Sequence, residues 1–445
     1  MTSKPIQTVP VNFYVIILSL VLSFACFVSC QKNSAEEPGI GSEDSSDLQS
    51  CTLNVIDYGA DNTGVEDSTP AFEALLSDFG SRNNVDIYVP SGRYRITKRI
   101  VLEHSSLSGQ QISHGVVFRG AGIDVTEIYC DNPEGGFFFN IPTNLVTVTV
   151  ENMSFVAPTD GVNTAIEFNT ADQRPGDHHS RMFQVKDVLI RGEKPTVGYF
   201  KNGVLCYNAW YPYLHNVEIT GRYGSGSDGY KMETAICFQD CYSPLVSECY
   251  VWGGAEYGVL CRGDKYLPEG GVVSESHFVK MDHGIFVEYA PEDKWAEPKF
   301  TITDCHVNYR VNGILLAGVR QVFITNNLIF CGERSGSEYL KDDSAPCDYE
   351  PTDLNVYRSS DVTVANNQFN GPGSPKRIGV DISEKSGNVM LNNNLFNFES
   401  TAIRNRSALK SYAMGNVFGG YPDFTAGQLV PYEDLTGTMV MIDYE

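Results

Sequence analysis

VENMSF (150–155), VKDVLI (185–190) and LHNVEI (214–219) follow one pattern: apolar, variable, Asn or acid, small or apolar, variable, large apolar. The pattern returns as VSECYV (246–251), VSESHF (273–278), ITDCHV (302–307), ITNNLI (324–329), VANNQF (364–369) and LNNNLF (391–396), with starts 22 to 40 residues apart. After a short turn every copy except ITNNLI is followed by a second apolar segment that opens on Gly or Ala. These segments are TAIEF (164), NGVLC (202), TAICF (234), YGVLC (257), HGIFV (283), NGILL (312), IGVDI (378) and TAIRN (401).

Short alternating segments with no helical stretch between them predict an all-β chain, wound as the coils of a right-handed single-stranded parallel β-helix. A coil buries its inward residues on the coils above and below, so the residues fall into columns. Ile166, Val204, Ile236, Val259, Ile285, Ile314, Val380 and Ile403 form one interior stack, and Phe168, Cys206, Phe238, Cys261, Val287, Leu316 and Ile382 another. Cys249 and Cys305 share a third column, separated by Ser276. Two coils put them about 9.6 Å apart, too far for a bridge. Among the 12 cysteines, Cys331 and Cys347, which flank an insertion, are the best-placed pair.

An open end of such a coil needs a cover. In VIDYGADNTGVEDSTPAFEALLSDFG (55–80), Ser68 or Thr69 caps a helix with Pro70 in its first turn and Phe72, Leu75, Leu76 and Phe79 on one face. VDIYVPSGRYRI (85–96) then alternates as a first strand pair.

Outside the coils, residues 1–30 carry Lys4, an apolar run from Val11 to Val28 and the ending FVSC, which reads as a signal peptide with Cys30 as a lipidated residue. Residues 31–51 are small, polar and acidic, a flexible tether. Residues 52–420 form the β-helix domain and 421–445 a C-terminal extension. The expected location is therefore exported, at the outer membrane or cell surface, with a lipid anchor as the sole membrane contact, or else periplasmic. The formal charge of −23 excludes nucleic acid as a partner and argues against anionic lipid surfaces.

DYGADNTGVEDSTPAFEALL (57–76) together with VPSGRYRI (89–96) resembles the N-terminal signature of the pectate-lyase-like superfamily, which includes polygalacturonase-type hydrolases, lyases and tailspike modules. The resemblance spans roughly residues 52 to 420 and implies the fold more strongly than any one reaction. In polygalacturonase-like members, acids and a histidine stand just before the Gly-entry strand. By that resemblance His283 in DHGIF occupies the histidine place, Glu256 and Tyr257 in EYGVL the place of a paired acid, and Glu233 beside Thr234 in METAI a third place. GVDI (379–382) lacks the expected Arg and Lys. These departures speak against polygalacturonase activity itself.

What remains is a column of Glu233, Glu256 and Asp282, with neighbours about 5 Å and the outer pair about 10 Å apart, spacings used by retaining and inverting glycosidases. The expected function is hydrolysis of a polysaccharide or oligosaccharide. Glu256 and Asp282 act as the acid and base pair and Glu233 as a further carboxylate; His283 and Arg262 orient substrate or charge, and no cofactor is required. Equally, such acids serve as turn caps.

Tyr257, Glu288, Trp210, Tyr266 and Trp295, with Tyr211, Tyr213, Tyr242 and Tyr289, are expected to line a sugar-binding groove beside the acids. A second acidic column, Glu248, Glu275 and Asp304, replaces an Asn expected to form a hydrogen-bond ladder. With calcium it would suit a lyase using Arg262 or Lys265 as base. Finally, the outward positions Leu205, Cys237, Leu260, Phe286 and Leu315 make an apolar floor that a homotrimer would bury, so a non-catalytic glycan-binding or structural role stays open.

Overall fold

The computed structural model describes residues 51–79, 84–103, 114–141, 146–170, 182–223, 232–266, 268–291, 299–332, 350–371, 377–397, 401–419 and 429–442. The repeat is a right-handed parallel β-helix. Strands pair in parallel with the strand one coil away, in three ladders that share one buried interior. The first ladder carries the Gly-entry strands, among them Met232–Gln239, the second half of Tyr250–Gly263, and the ends of His277–Tyr289 and His306–Ala317. The second carries the strands that lead into the Asn-or-acid turn, and the third the strands that leave it.

Register confirms both interior columns, with Ile236, Val259, Ile285 and Ile314 stacked in sequence and fully enclosed. It also adds a rung hidden by the insertion after ITNNLI. Thr352–Tyr357 inserts Leu354 between Ile314 and Val380, and Val356 between Leu316 and Ile382. Elsewhere the corner before this strand is Ala or Gly, and at the Gly corners the carbonyl of the next coil comes close. A Cβ at Gly258, Gly284 or Gly313 would meet that oxygen at 2.5 Å. In the added rung the corner residue is Asp353, fully buried, and a fully buried Arg377 donates to its carboxylate at 2.7 and 2.8 Å. The Tyr309 hydroxyl donates to it at 2.6 Å.

The third residue of the repeat has a physical reason different from the expected ladder. Asn152, Asp187, Asn216, Glu248, Glu275, Asp304, Asn326, Asn366 and Asn393 all lie at φ between +50° and +60°, the left-handed region that Asn and Asp tolerate best. The amide ladder is one residue further on. Asn327 donates to Asn367 at 2.9 Å, Asn367 to Asn394 and Asn394 to Asn416 at 3.0 Å each. Cys305 and Ser276 continue that column toward the N-terminus, and the Cys305 amide donates to Asn327 at 2.9 Å.

The helix Thr69–Phe79 begins where the Phe72 and Ala71 amides bond the Ser68 carbonyl. Phe72 and Leu75 are fully buried, and Phe72 meets the rings of Tyr94 and Phe137 at the N-terminal end of the interior. The strands Asn84–Val89 and Gly92–Ile96 enter different ladders instead of pairing with each other. At the other end Val430–Asp434 and Met439–Ile442 pair with the preceding coil, so the ladders continue past residue 420. Among the described cysteines Cys130, Cys206, Cys237, Cys241, Cys249, Cys261 and Cys305 are free, buried thiols, as expected of core positions; Cys331 is buried too, and Cys347 lies outside the described residues. The leader, the tether and Cys30 lie outside them too. No helix among the described residues is long and apolar enough to cross a membrane.

Candidate functional site

The outer face of the first ladder gathers most of the predicted residues. Thr234, Tyr257, His283 and Asn312 are register partners on four consecutive coils, which places Glu233, Glu256 and Asp282 side by side one residue earlier. Glu233 is exposed, while Glu256 and Asp282 are half-buried. Asp282 is held by Arg310, which reaches its Oδ1 with Nε at 2.9 Å and Nη2 at 2.8 Å.

Arg310 was not legible in the sequence. Phe278 pairs with Val307 and His283 with Asn312, but Met281 pairs with Tyr309, so one coil gains a residue before that pair and the other after it. Lys280, in the first bulge, takes φ of +69°. The two shifts cancel, and residue counts between the flanking positions stay equal.

Tyr257 and His283 stack with centroids 5.1 Å apart and planes 15° from parallel. Phe286 lies next to both, at 5.8 and 6.4 Å. Burial, followed by the charge of Glu256 and the hydrogen bond the phenol makes to it, pushes the Tyr257 hydroxyl up from its ordinary range. His283 Nδ1 is 3.1 Å from Asn312 Nδ2. The apolar floor is thus partly roofed by rings.

At the far end of these strands Arg262 donates from Nε to Asp264 at 2.7 Å and lies 3.6 Å from Glu288. Gln239 donates to the other oxygen of Asp264 at 2.8 Å. The loop that carries Asp264 and Tyr266 is fixed by Asp240, a buried residue in left-handed conformation. Its Oδ1 accepts the amides of Asp264, Lys265 and Tyr266 at 2.9, 2.8 and 3.0 Å. Asp240 reads in sequence as an ordinary turn acid; only the fold brings it under the next coil's loop.

The expected aromatic wall divides. Trp210 and Tyr242 stack at 4.7 Å, and Trp210 packs against the core. Tyr289 is 5% exposed and belongs to the interior. Tyr213 is on the second ladder, stacked on His215. Trp295 lies outside the described residues.

Glu248, Glu275 and Asp304 stand at exposed left-handed turns, away from this face. Among the described residues no group of three or more His, Cys, Asp or Glu is arranged to hold a metal ion. His277 and His306 do project side by side, on the third ladder, with ring centroids 5.7 Å apart.

Two family models match the sequence: one described as rhamnogalacturonase A/epimerase, pectate lyase-like, over residues 52–245, and one described as a right-handed β-helix region over 187–329. The chain is a right-handed parallel β-helix whose N-terminal part is similar to the pectate-lyase-like family. No curated protein sequence matches it. Among solved structures, this β-helix is similar to the A-module of the mannuronan C-5 epimerase AlgE6 of Azotobacter vinelandii. Identity is 13%, covering 86% of this chain and 98% of that one, with a TM-score of 0.55. It is also similar to a DFA-IIIase of Arthrobacter chlorophenolicus A6, at 11% identity, 88% and 93% coverage and a TM-score of 0.51. At such identities the likeness is one of fold. The chain's own residues must carry any assignment of function.

Proposed function

We propose that this β-helix hydrolyses glycosidic bonds in a polysaccharide bound along the first ladder. The observation that carries the reading is the adjacency of Glu256 and Asp282 on neighbouring coils, with Arg310 on Asp282. One coil is about 4.8 Å, close to the roughly 5–5.5 Å between carboxyl groups of retaining glycosidases.

In that geometry Arg310 orients the Asp282 carboxylate for attack on the anomeric carbon. Glu256, as the acid, gives its proton to the departing glycosidic oxygen. A glycosyl ester on Asp282 results; water, deprotonated by Glu256, then cleaves it and restores both groups. Glu233 supplies a further carboxylate one coil away, and Tyr257, His283, Phe286, Arg262 and Glu288 offer stacking faces and hydrogen bonds to the sugar rings.

The Tyr257–His283 stack favours a second reading, β-elimination from a uronate. There His283 takes the proton next to the carboxylate, Tyr257 protonates the leaving oxygen, and Arg262 offsets the carboxylate charge. A panel of plant, algal and host polysaccharides, followed for reducing ends and for the ultraviolet absorbance of an unsaturated product, separates the two. Reducing ends alone, abolished by Asp282→Asn, support hydrolysis; absorbance transfers the case to elimination. Silence with retained glycan binding overturns both and leaves a binding protein.

We also propose export through residues 1–30 with lipidation of Cys30. Mass spectrometry of the native N-terminus tests this, and an unprocessed or unlipidated chain refutes it.

A further inference from the structure

We propose that the outer face of the second ladder is the surface through which two copies of this chain pair. Over the nine coils from Tyr213 onward, that face carries two outward columns in continuous register; toward the N-terminus the same columns go on into Lys186, Glu151, Arg119 and Asp86, so the charge-free strip begins at Tyr213. One passes from Tyr213 through Phe323 and Met390 to Val440, the other from His215 through Thr325 to Ile442. Each holds nine residues, and none of the eighteen is Asp, Glu, Lys or Arg. One residue in five of the chain is charged, so eighteen outward positions at the average would carry three or four. The first ladder, by contrast, presents Glu167, Arg262, Glu288, Asp381 and Arg404 outward. The charge-free strip also exposes large apolar side chains near its middle, where Phe323 is 40% and Met390 44% exposed.

Charge and area both point to a second copy as the occupant. A chain of net charge −23 repels its own kind, and the repulsion is least where a strip without charges meets the same strip. Nine coils span about 38 Å at 4.8 Å per spacing. Two columns of side chains are roughly 14 Å wide, so each copy contributes on the order of 500 Å². The total of about 1,000 Å² meets the lower bound of a specific interface.

The rim selects the arrangement. Glu248, Glu275 and Asp304 border the coils just before that of Phe323, and Asn326, Asn366 and Asn393 border that coil and the next two. A two-fold axis along the strand direction through Phe323 sets Asp304 opposite Asn366 and Glu275 opposite Asn393. Acid then faces amide, and each Phe323 meets its own counterpart, as an isologous contact requires.

Sedimentation equilibrium of the purified protein over a range of concentration and sodium chloride tests the assignment. The expected result is a monomer–dimer equilibrium that shifts toward dimer as salt screens the net charge. Phe323→Glu, an outward change that leaves the interior intact, should raise the dimer Kd at least about tenfold, equivalent to about 1.4 kcal/mol. Met390→Glu should weaken the dimer in the same direction, while Phe286→Glu on the first ladder leaves it unchanged. A monomer under all conditions overturns the proposal, as does a trimer, a dimer indifferent to Phe323→Glu, or one lost to Phe286→Glu instead.

Discussion

Replacing Arg377 by Leu tests how the added rung is held. The guanidinium is fully enclosed and donates to Asp353 three times, at 3.2, 2.7 and 2.8 Å, and to the carbonyls of Asn370 and Gly371 at 2.8 and 3.4 Å. Its loss leaves Asp353 with the Tyr309 hydroxyl as its remaining side-chain donor. Removing one partner of a buried ion pair costs about 3–5 kcal/mol, and that is the expected loss at pH 8.

Part of the cost is relieved by acid. Burial pushes the Asp353 carboxyl up to about 6 even against Arg377 and Tyr309, and without Arg377 it rises further. A carboxyl raised above its unfolded value of about 3.9 withdraws stability as pH increases through that window. The Arg377→Leu penalty should therefore shrink by roughly 1–3 kcal/mol between pH 8 and pH 5, at 1.36 kcal/mol per unit.

Adding Asp353→Gly returns the corner to the residue used by its neighbours and removes the orphaned charge. The double variant should recover most of the loss. Urea unfolding followed by circular dichroism at both pH values reads all three quantities. A single-variant loss below about 1 kcal/mol, or a double variant no better than the single, would refute the reasoning.

Three further outcomes are expected. Asp282→Asn should lower kcat at least about a thousandfold, and Arg310→Gln about ten- to a hundredfold, with unfolding midpoints nearly unchanged; equal activity in Arg310→Gln would detach it from the site. Asp240→Ala frees three loop amides, so KM should rise about tenfold while kcat changes little; an unaltered KM would show that the loop of Asp264 and Tyr266 does not touch substrate. Burial pushes the Asp67 carboxyl up, but bonds from Thr69 and Thr97 more than offset this and hold it at about 2. Its contribution is present above about pH 4 and lost as pH falls through about 2, some 1 kcal/mol after allowance for solvent screening. Asp67→Asn should flatten the acid limb of the stability curve, and an unchanged limb would show that the bonds do not hold in solution.

The coils were legible because each repeats one local rule. An apolar residue every second position faces in, the corner takes Gly or Ala, and the turn needs a left-handed residue. Ile285, Gly284 and Asn366 each declare their place without reference to the rest of the chain. Features that depend on what lies one coil away were silent. Asp353 follows a long insertion and breaks the Gly rule. The bulges at Lys280 and Arg310 cancel in any count of residues, and Asp240 reads as a turn until the next loop is placed upon it. Even the Asn ladder was displaced by one position, because neighbouring residues such as Asn366 and Asn367 share a side-chain type and serve different ends.

The two ends of the coil stack are unequal. At the first, Phe72 and Leu75 close the interior; at the last, the strand ending in Met441 and Ile442 leaves both of those side chains exposed. Because each coil touches only its neighbours, stability is a chain of nearest-neighbour couplings, and a coil whose inward Met441 is 41% exposed is held less firmly than the plugged one. Melting should thus run as a zipper from the C-terminal coil toward the plugged end. The carboxylates of the first ladder, many coils from the fraying edge, sit where that wave arrives late.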